Sequence, residues 1–249
     1  HHQCVELLLD RHADINARDS REFTPLHVAS TNGHHQCIEL LLDRQADVNA
    51  QGSLELTPLH VASWNGHRQC IELLLDRQAD ANALDDGTSS PLHHASWNGH
   101  RQCIELLLDR QANVNARNNS TSSPLHHASR NGHHQCIKLL LDRRADVNAL
   151  DDSTSSPLHL ASWNGHHQCI KLLLDRQADV NARNNDLDTP LHIAAWRGHK
   201  KTIVILLYRQ ANIDAQNNRL NTPLHIAACR GHTETIMILL DHGADKTLR

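Results

Sequence analysis

Apolar residues along this chain fall in short clusters that recur with one period. Over residues 35–44 the cluster is Cys37, Ile38, Leu40, Leu41 and Leu42. That stripe is too wide for a surface helix with a single buried side. It suits a helix packed on a partner and on neighbours at both flanks. A smaller cluster precedes it, opening at Thr24-Pro25-Leu26-His27. The Thr hydroxyl can cap a helix, and Pro fits the first helical position, where its missing N–H costs nothing. The pattern predicts a short helix from Pro25 to about Asn32, ended by Gly33 in the left-handed conformation, and a second helix from about His35 to Arg44. Residues 46–56 are mostly small and polar, which predicts an extended turn or hairpin leading to the next helix pair.

The period is 33 residues. Pro-Leu-His stands at 25, 58, 91, 124, 157, 190 and 223 and uses all seven prolines, and Gly-His follows at the same spacing from 33 to 231. Residues 64–79 and 97–112 are identical, the mark of internal duplication. In such an array no repeat buries both faces alone, and stacking supplies the stability. Seven full repeats span 19–51, 52–84, 85–117, 118–150, 151–183, 184–216 and 217–249. Residues 1–18 match the second helix and turn of a further, partial repeat. Residues 1–249 are therefore expected to form one elongated all-α domain. The chain does not begin with Met, and it is expected to be a processed chain or a piece of a longer one.

Thr24-Pro25-Leu26-His27-Val28-Ala29 and the stretches starting at Thr57, Thr189 and Thr222 carry the pattern T-P-L-H-x-A, and Ser90, Ser123 and Ser156 keep the hydroxyl in the other three. On these residues, in phase over the whole chain, the protein resembles the ankyrin-repeat family. The resemblance implies a solenoid of helix–turn–helix units joined by hairpin loops, with a concave face of hairpins and first helices. It also implies that the histidines of Pro-Leu-His and Gly-His brace the turns. Two departures stand out. The family's hairpin-tip Gly is replaced by Glu22, Glu55, Thr88, Thr121, Thr154, Leu187 and Leu220. The Gly after the second helix survives at Gly243, with His12, Gln45, Gln78, Gln111, Arg144, Gln177 and Gln210 elsewhere. A non-Gly residue held left-handed costs roughly 1 kcal/mol. Either these turns differ from the family's, or the array is less stable than one with glycines. The resemblance further implies that Asn16, Asn49, Asn82, Asn148 and Asn181, each with Asp two residues before, are candidate substrates of an asparagine hydroxylase.

Composition narrows the partner class. With one Phe, one Tyr, one Met and four Trp, the apolar content is mostly Leu, Ala and Ile, as thin helical layers require. A net charge of −4 gives no reason to expect nucleic acid or a membrane surface as partner, and no apolar run approaches a membrane span. Six of the seven cysteines lie 33 residues apart, at Cys4, Cys37, Cys70, Cys103, Cys136 and Cys169. Stacked repeats about 10 Å apart would hold those thiols too far apart to bridge. They are expected to be reduced and buried, which points to the cytoplasm or nucleus.

Candidate chemistry is sparse. His34, His35 and Cys37 form a His-His-x-Cys cluster repeated at 133–136 and 166–169, but zinc needs three or four converging ligands and the Cys is expected to face the core. No nucleophile with a base, phosphate loop or general-acid pair is apparent, so no enzymatic activity, metal or cofactor is expected. The pairs Asp85-Asp86 and Asp151-Asp152 are expected to be solvated turn residues. His94 and His127 occupy a position that is apolar in most other repeats and is expected to face the core. Buried there and neutral, they would weaken the middle repeats in acid.

All four tryptophans, Trp64, Trp97, Trp163 and Trp196, share one place near the end of the first helix, which Arg130 takes in the fourth full repeat. The resemblance makes this a variable concave-face position, and Trp and Arg are enriched at binding hot spots. Arg130 can stack on neighbouring rings or supply a specific contact to an acidic group of the partner. Hairpin residues Arg21, Phe23, Leu56, Asp188 and Arg219 flank the same face and complete the candidate site. The expected function is that of a protein-binding module or scaffold, monomeric, with one or more proteins as partners. The alternative is the recognition arm of a larger protein, such as a ubiquitin-ligase adaptor, channel or kinase, whose activity lies outside this chain.

Overall fold

The computed structural model describes residues 2–247, and over them the two-cluster pattern becomes a series of paired α-helices with no strand. The chain divides into two compact units, His1–Asn119 and Ser120–Arg249. The first holds α1 (His2–Asp10) and three pairs: α2 (Pro25–Asn32) with α3 (His35–Asp43), α4 (Pro58–Asn65) with α5 (Arg68–Asp76), and α6 (Pro91–Asn98) with α7 (Arg101–Asp109). The second holds four pairs: α8 (Pro124–Asn131) with α9 (His134–Asp142), α10 (Pro157–Asn164) with α11 (His167–Asp175), α12 (Pro190–Arg197) with α13 (Lys200–Tyr208), and α14 (Pro223–Cys229) with α15 (Thr233–Asp241). Within each unit first helices pack on first helices and second on second, so every inner helix has neighbours at both flanks.

Three apolar positions per repeat make the core. Leu26, Ile38 and Leu41 are sealed from solvent, as are their counterparts Leu59, Ile71 and Leu74. The cysteines at 37, 70, 103, 136 and 169 are buried beside them, and Cys4, at the end of the first unit, is exposed. Burial pushes the Cys70, Cys103 and Cys169 thiols up to about 11, so these side chains behave as small hydrophobes.

The Pro-Leu-His histidines hold successive repeats together. The Thr57 backbone N–H donates to His60 Nδ1 (3.1 Å), closing a capping box in which His takes the place of the usual Glu or Gln. With Nδ1 accepting, Nε2 carries the proton and donates to the Ser89 carbonyl of the next repeat (3.0 Å). The same bond runs from His27 to Leu56, His126 to Ser155, His159 to Asp188 and His192 to Asn221. The Gly-His histidines reach the other way: His67 Nε2 bonds the Thr31 carbonyl of the repeat before it (3.0 Å). Gly33 makes room for that ring. It is left-handed at φ 73°, and a Cβ there would lie 2.7 Å from His67 Nδ1. A third tie uses the hairpin asparagines. Asn49 Oδ1 accepts the Asp80 N–H (2.9 Å), and Asn82 Oδ1 the Asn113 N–H (2.8 Å). On the outer surface Arg44 pairs with Asp10 and Arg77 with Asp43. These pairs are solvated and worth little each.

The unusual turns keep the left-handed geometry without glycine. Glu22, Glu55, Thr88, Thr121, Thr154, Leu187 and Leu220 have φ of 52–59°, and the residues after the second helices have φ of 63–67°. The turns therefore match those of a glycine-bearing repeat and carry the strain. At most tips an acidic or amide side chain at the start of the hairpin offsets it. Asp151 Oδ1 accepts the N–H groups of Ser153 and Ser155, and Asn217 Oδ1 those of Arg219 and Asn221. The second full repeat has Gly52 there, without an acceptor, and its tip departs into a 3-10 turn over Ser53–Glu55 with Leu54 also left-handed.

Two expectations are corrected. His94 and His127 are half-buried rather than core residues, and His94 Nε2 lies 2.8 Å from Asp85 Oδ2, so its ring is hydrogen-bonded to a carboxylate. The histidines that burial penalises most clearly are those of Pro-Leu-His. Desolvation lowers the pKa of His27, His159 and His192, and that of His60 to about 4, with the nearby His94 adding to the last.

Acid sensitivity is expected from this group. A folded pKa below the unfolded value near 6.5 means that stability is intact above about pH 7 and is lost as pH falls toward 4, because the unfolded chain takes the proton first. Protonation also places a proton on Nδ1 where the Thr57 N–H donates. His60 should contribute a loss of roughly 2 kcal/mol by pH 5. Urea midpoints at pH 7.5 and 5 should differ markedly in the wild type and less in His60→Gln; equal drops would refute the assignment. Ser63→Ala tests the core. The Ser63 hydroxyl is buried without a partner, like those of Ser30, Ser96, Ser129 and Ser162, and the last two repeats have Ala195 and Ala228 at that place. The change should raise stability by about 1 kcal/mol, and a lowered urea midpoint would count against it.

Candidate protein-interaction face

The backbone and ring of each tryptophan have separate environments. The carbonyls of Trp64, Trp163 and Trp196 accept hydrogen bonds from His100, His199 and His232 of the following repeat at 3.0–3.1 Å. The main chain is thereby pinned. The side chains point out: Trp64 is 47% exposed, Trp97 39%, Trp163 41% and Trp196 40%. These are large apolar surfaces placed in water on a rigid support, a combination that marks interaction sites.

Arginines do stack on these rings, but not the expected one. The guanidinium carbon of Arg197 lies 5.0 Å from the Trp163 ring centroid, and that of Arg230 lies 3.2 Å from the Trp196 centroid. Arg130 is exposed at the end of α8. Its carbonyl accepts from His166 and Asn164, and with Trp163, Leu160 and Ile193 it lines a cavity of about 160 Å³.

In the first unit the candidate residues converge. Phe23, Leu56 and Trp64 line one cleft of about 360 Å³ together with Leu54, Val61, Asp85, Asp86 and His94. Phe23 lies flat on the His27 ring at 4.9 Å, with Arg21 stacked over it at 5.0 Å and paired to Asp19 at 3.3 Å. His94 meets the Trp64 ring edge-on at 5.5 Å. Asp85 is buried, not a solvated turn residue as expected, and so is Asp151. Asp85 Oδ1 accepts the Ser89 N–H at 2.7 Å, and Oδ2 meets His94. Burial pushes the Asp85 carboxyl up, but the His94 and Ser89 hydrogen bonds outweigh it and leave its pKa lowered. Asp85 therefore stays ionised, and its stabilising contribution fades only as pH falls below the usual carboxylate range.

The remaining candidates are set apart. Trp97 is exposed on α6. Asp188 is half-buried, with its Oδ1 accepting from Asn217 Nδ2 (2.8 Å) and its carbonyl from His159, so it serves the stack. Arg219 is exposed at a hairpin. Asn16, Asn49, Asn82, Asn148 and Asn181 are exposed, and the N–H of each donates to the Asp carboxylate two residues before at 2.8–3.0 Å. Among the described residues no three His, Cys, Asp or Glu side chains converge as a metal site would require. The sequence pattern did not mark Asp85 or Arg197 and Arg230. The signal for the arginines was present, since each directly follows the tryptophan position of its repeat.

This geometry and the repeat frame agree with the comparisons. The family model for ankyrin repeats (3 copies) matches residues 1–52, 51–118, 92–184 and 181–249, and the chain belongs to the ankyrin-repeat family. It is similar in structure to the crystallised human ASB11 ankyrin repeat domain, with a TM-score of 0.81 and 28% identity, covering 90% of this chain and 100% of that one. No curated protein sequence matches it. In all, 576 solved chains match its structure, so the fold alone selects no partner. Ankyrin repeats are general protein–protein interaction modules and typically non-catalytic. No helix among the described residues is long and apolar enough to cross a membrane.

Asp85→Ala should lower stability by about 1–3 kcal/mol, because the Ser89 N–H and His94 lose their buried acceptor. Asp86→Ala, at an exposed neighbour, should stay within about 0.5 kcal/mol. Urea unfolding of the two variants side by side separates them, and similar losses would contradict the assigned roles.

Proposed function

We propose that the chain is a protein-interaction module or scaffold, and that partners bind it at the exposed tryptophans, Trp64 and Trp97 on a face of the first unit and Trp163 and Trp196 on the corresponding face of the second. The supporting observation is the exposure of all four indole rings at one place in the repeat, in a protein otherwise poor in aromatics. Rings that served packing alone would be covered by the neighbouring first helix. Phe23, Leu56, Arg21 and Arg130 extend the face, and Arg219 lies at its hairpin margin. Asp188 is better used as a support for the stack. The free thiols favour a reducing compartment, the cytoplasm or nucleus, and nothing in the charge pattern favours nucleic acid or lipid.

A variant with Trp64, Trp97, Trp163 and Trp196 changed to Ser, shown to be folded by circular dichroism, tests the proposal. Affinity capture from lysate should recover partners with the wild type that are depleted at least tenfold with the variant, as expected for hot-spot aromatics worth about 2 kcal/mol or more. Recovery of the same proteins at the same level would move the binding site off this face.

A further inference from the structure

Two of the four tryptophans already hold a guanidinium supplied by the chain itself. Arg197 lies over Trp163 and Arg230 over Trp196. In both cases the arginine belongs to the next repeat and occupies one fixed place, directly after the tryptophan position: Arg197 follows Trp196, and Arg230 follows Cys229. The residue at that place opposite Trp64 is Asn98. It is too short to reach over the ring, and its amide donates instead to the His94 carbonyl at 3.2 Å. Trp64 is also the most exposed of the four rings.

The surroundings of Trp64 differ from those of Trp163 and Trp196 in a second way. The cleft beside it contains Asp85 and Asp86 along with the apolar side chains of Phe23, Leu54, Leu56 and Val61. Asp85 is committed to Ser89 and His94. Asp86 is exposed and makes no ion pair among the described residues. Arg21, which stacks on Phe23 at the margin of the cleft, is neutralised by Asp19. A planar cation-accepting ring, an uncommitted carboxylate and an apolar wall therefore meet in one place.

We infer that the cleft beside Trp64 is a receptor for an arginine side chain of the bound protein. The inference rests on the reading of the tryptophan face as the binding face, and it specifies what that face selects. The guanidinium stacks on the indole as Arg197 and Arg230 do on their rings, its N–H groups donate to the Asp86 carboxylate, and its methylene stem packs on Leu54 and Leu56. Lysine meets the charge but not the planar stacking or the forked donor geometry. The repeats after Trp163 and Trp196 fill this place from within, whereas the repeat after Trp64 puts Asn98 there and leaves the receptor open.

Panning a displayed library of random peptides on the full chain provides the test. Peptides that bind the wild type should share an arginine flanked by apolar residues. Replacing that arginine by lysine in a selected peptide, or making Trp64→Ala or Asp86→Asn in the protein, should each weaken binding about tenfold. Asn98→Arg restores the guanidinium that the later repeats carry. It should leave the circular dichroism unchanged and weaken the peptide by a similar factor, because the receptor is then filled by the chain itself. This variant keeps the test informative if Trp64→Ala proves poorly folded. Peptides that need the tryptophans but share no arginine overturn the receptor and leave the binding face standing. Binding indifferent to all four tryptophans overturns both.

Discussion

Everything in this structure depends on a neutral imidazole that bonds in two directions. In each Pro-Leu-His the Nδ1 atom accepts the backbone N–H of the capping Thr or Ser, and that fixes the proton on Nε2. At His27, His60, His126, His159 and His192 the Nε2 atom then reaches the hairpin carbonyl of the next repeat. One side chain thus starts the first helix and ties its repeat to the following one. The ring is buried, so the bond is made where water does not compete for it. The same burial makes the charged form costly, which is why the fold's main inter-repeat tie is also its acid-sensitive point.

The second set of histidines complements the first. Each reaches back to the carbonyl at the tryptophan position of the previous repeat, across a glycine whose missing Cβ leaves space for the ring. The backbone under Trp64, Trp163 and Trp196 is therefore held by two repeats at once. A binding surface built this way loses little conformational freedom on association, because its support is already fixed. The left-handed turns without glycine work against this rigidity. The Asp and Asn side chains at the hairpin starts offset the strain by satisfying the tip N–H groups, and at Gly52, where that acceptor is missing, the tip changes shape.

Chance duplication and use in binding leave different marks on such an array. Duplication copies the tryptophan and its neighbours alike. Yet what surrounds the copies differs: arginines cover Trp163 and Trp196, while Asp85 and Asp86 line the cleft beside Trp64 and Asn98 takes the arginine's place. The chemistry around the tryptophans of the two units has diverged on a scaffold whose core residues barely vary.

The period, the helix pairs, the caps and the core triad of Leu, Ile and Leu were legible in the sequence, because each follows from local spacing and from the chemistry of Pro, Gly and the capping hydroxyl. So was the shared register of the four tryptophans. The partners of side chains that cross between repeats were not legible. His94 was expected in the core because its counterparts are apolar, but their cover ranges from buried at Val61 and Ile226 to exposed at Val28, and a carboxylate nine residues earlier bends back to meet the half-buried His94 ring. Asp85 was expected in water because turns are usually solvated, and it is buried because the hairpin folds over onto the first helix. The arginines over Trp163 and Trp196 come from the following repeat, at a distance along the chain that no local pattern encodes. Periodicity settles what each repeat is. Stacking decides which side chains meet between repeats, because those contacts exist only once the repeats lie against one another.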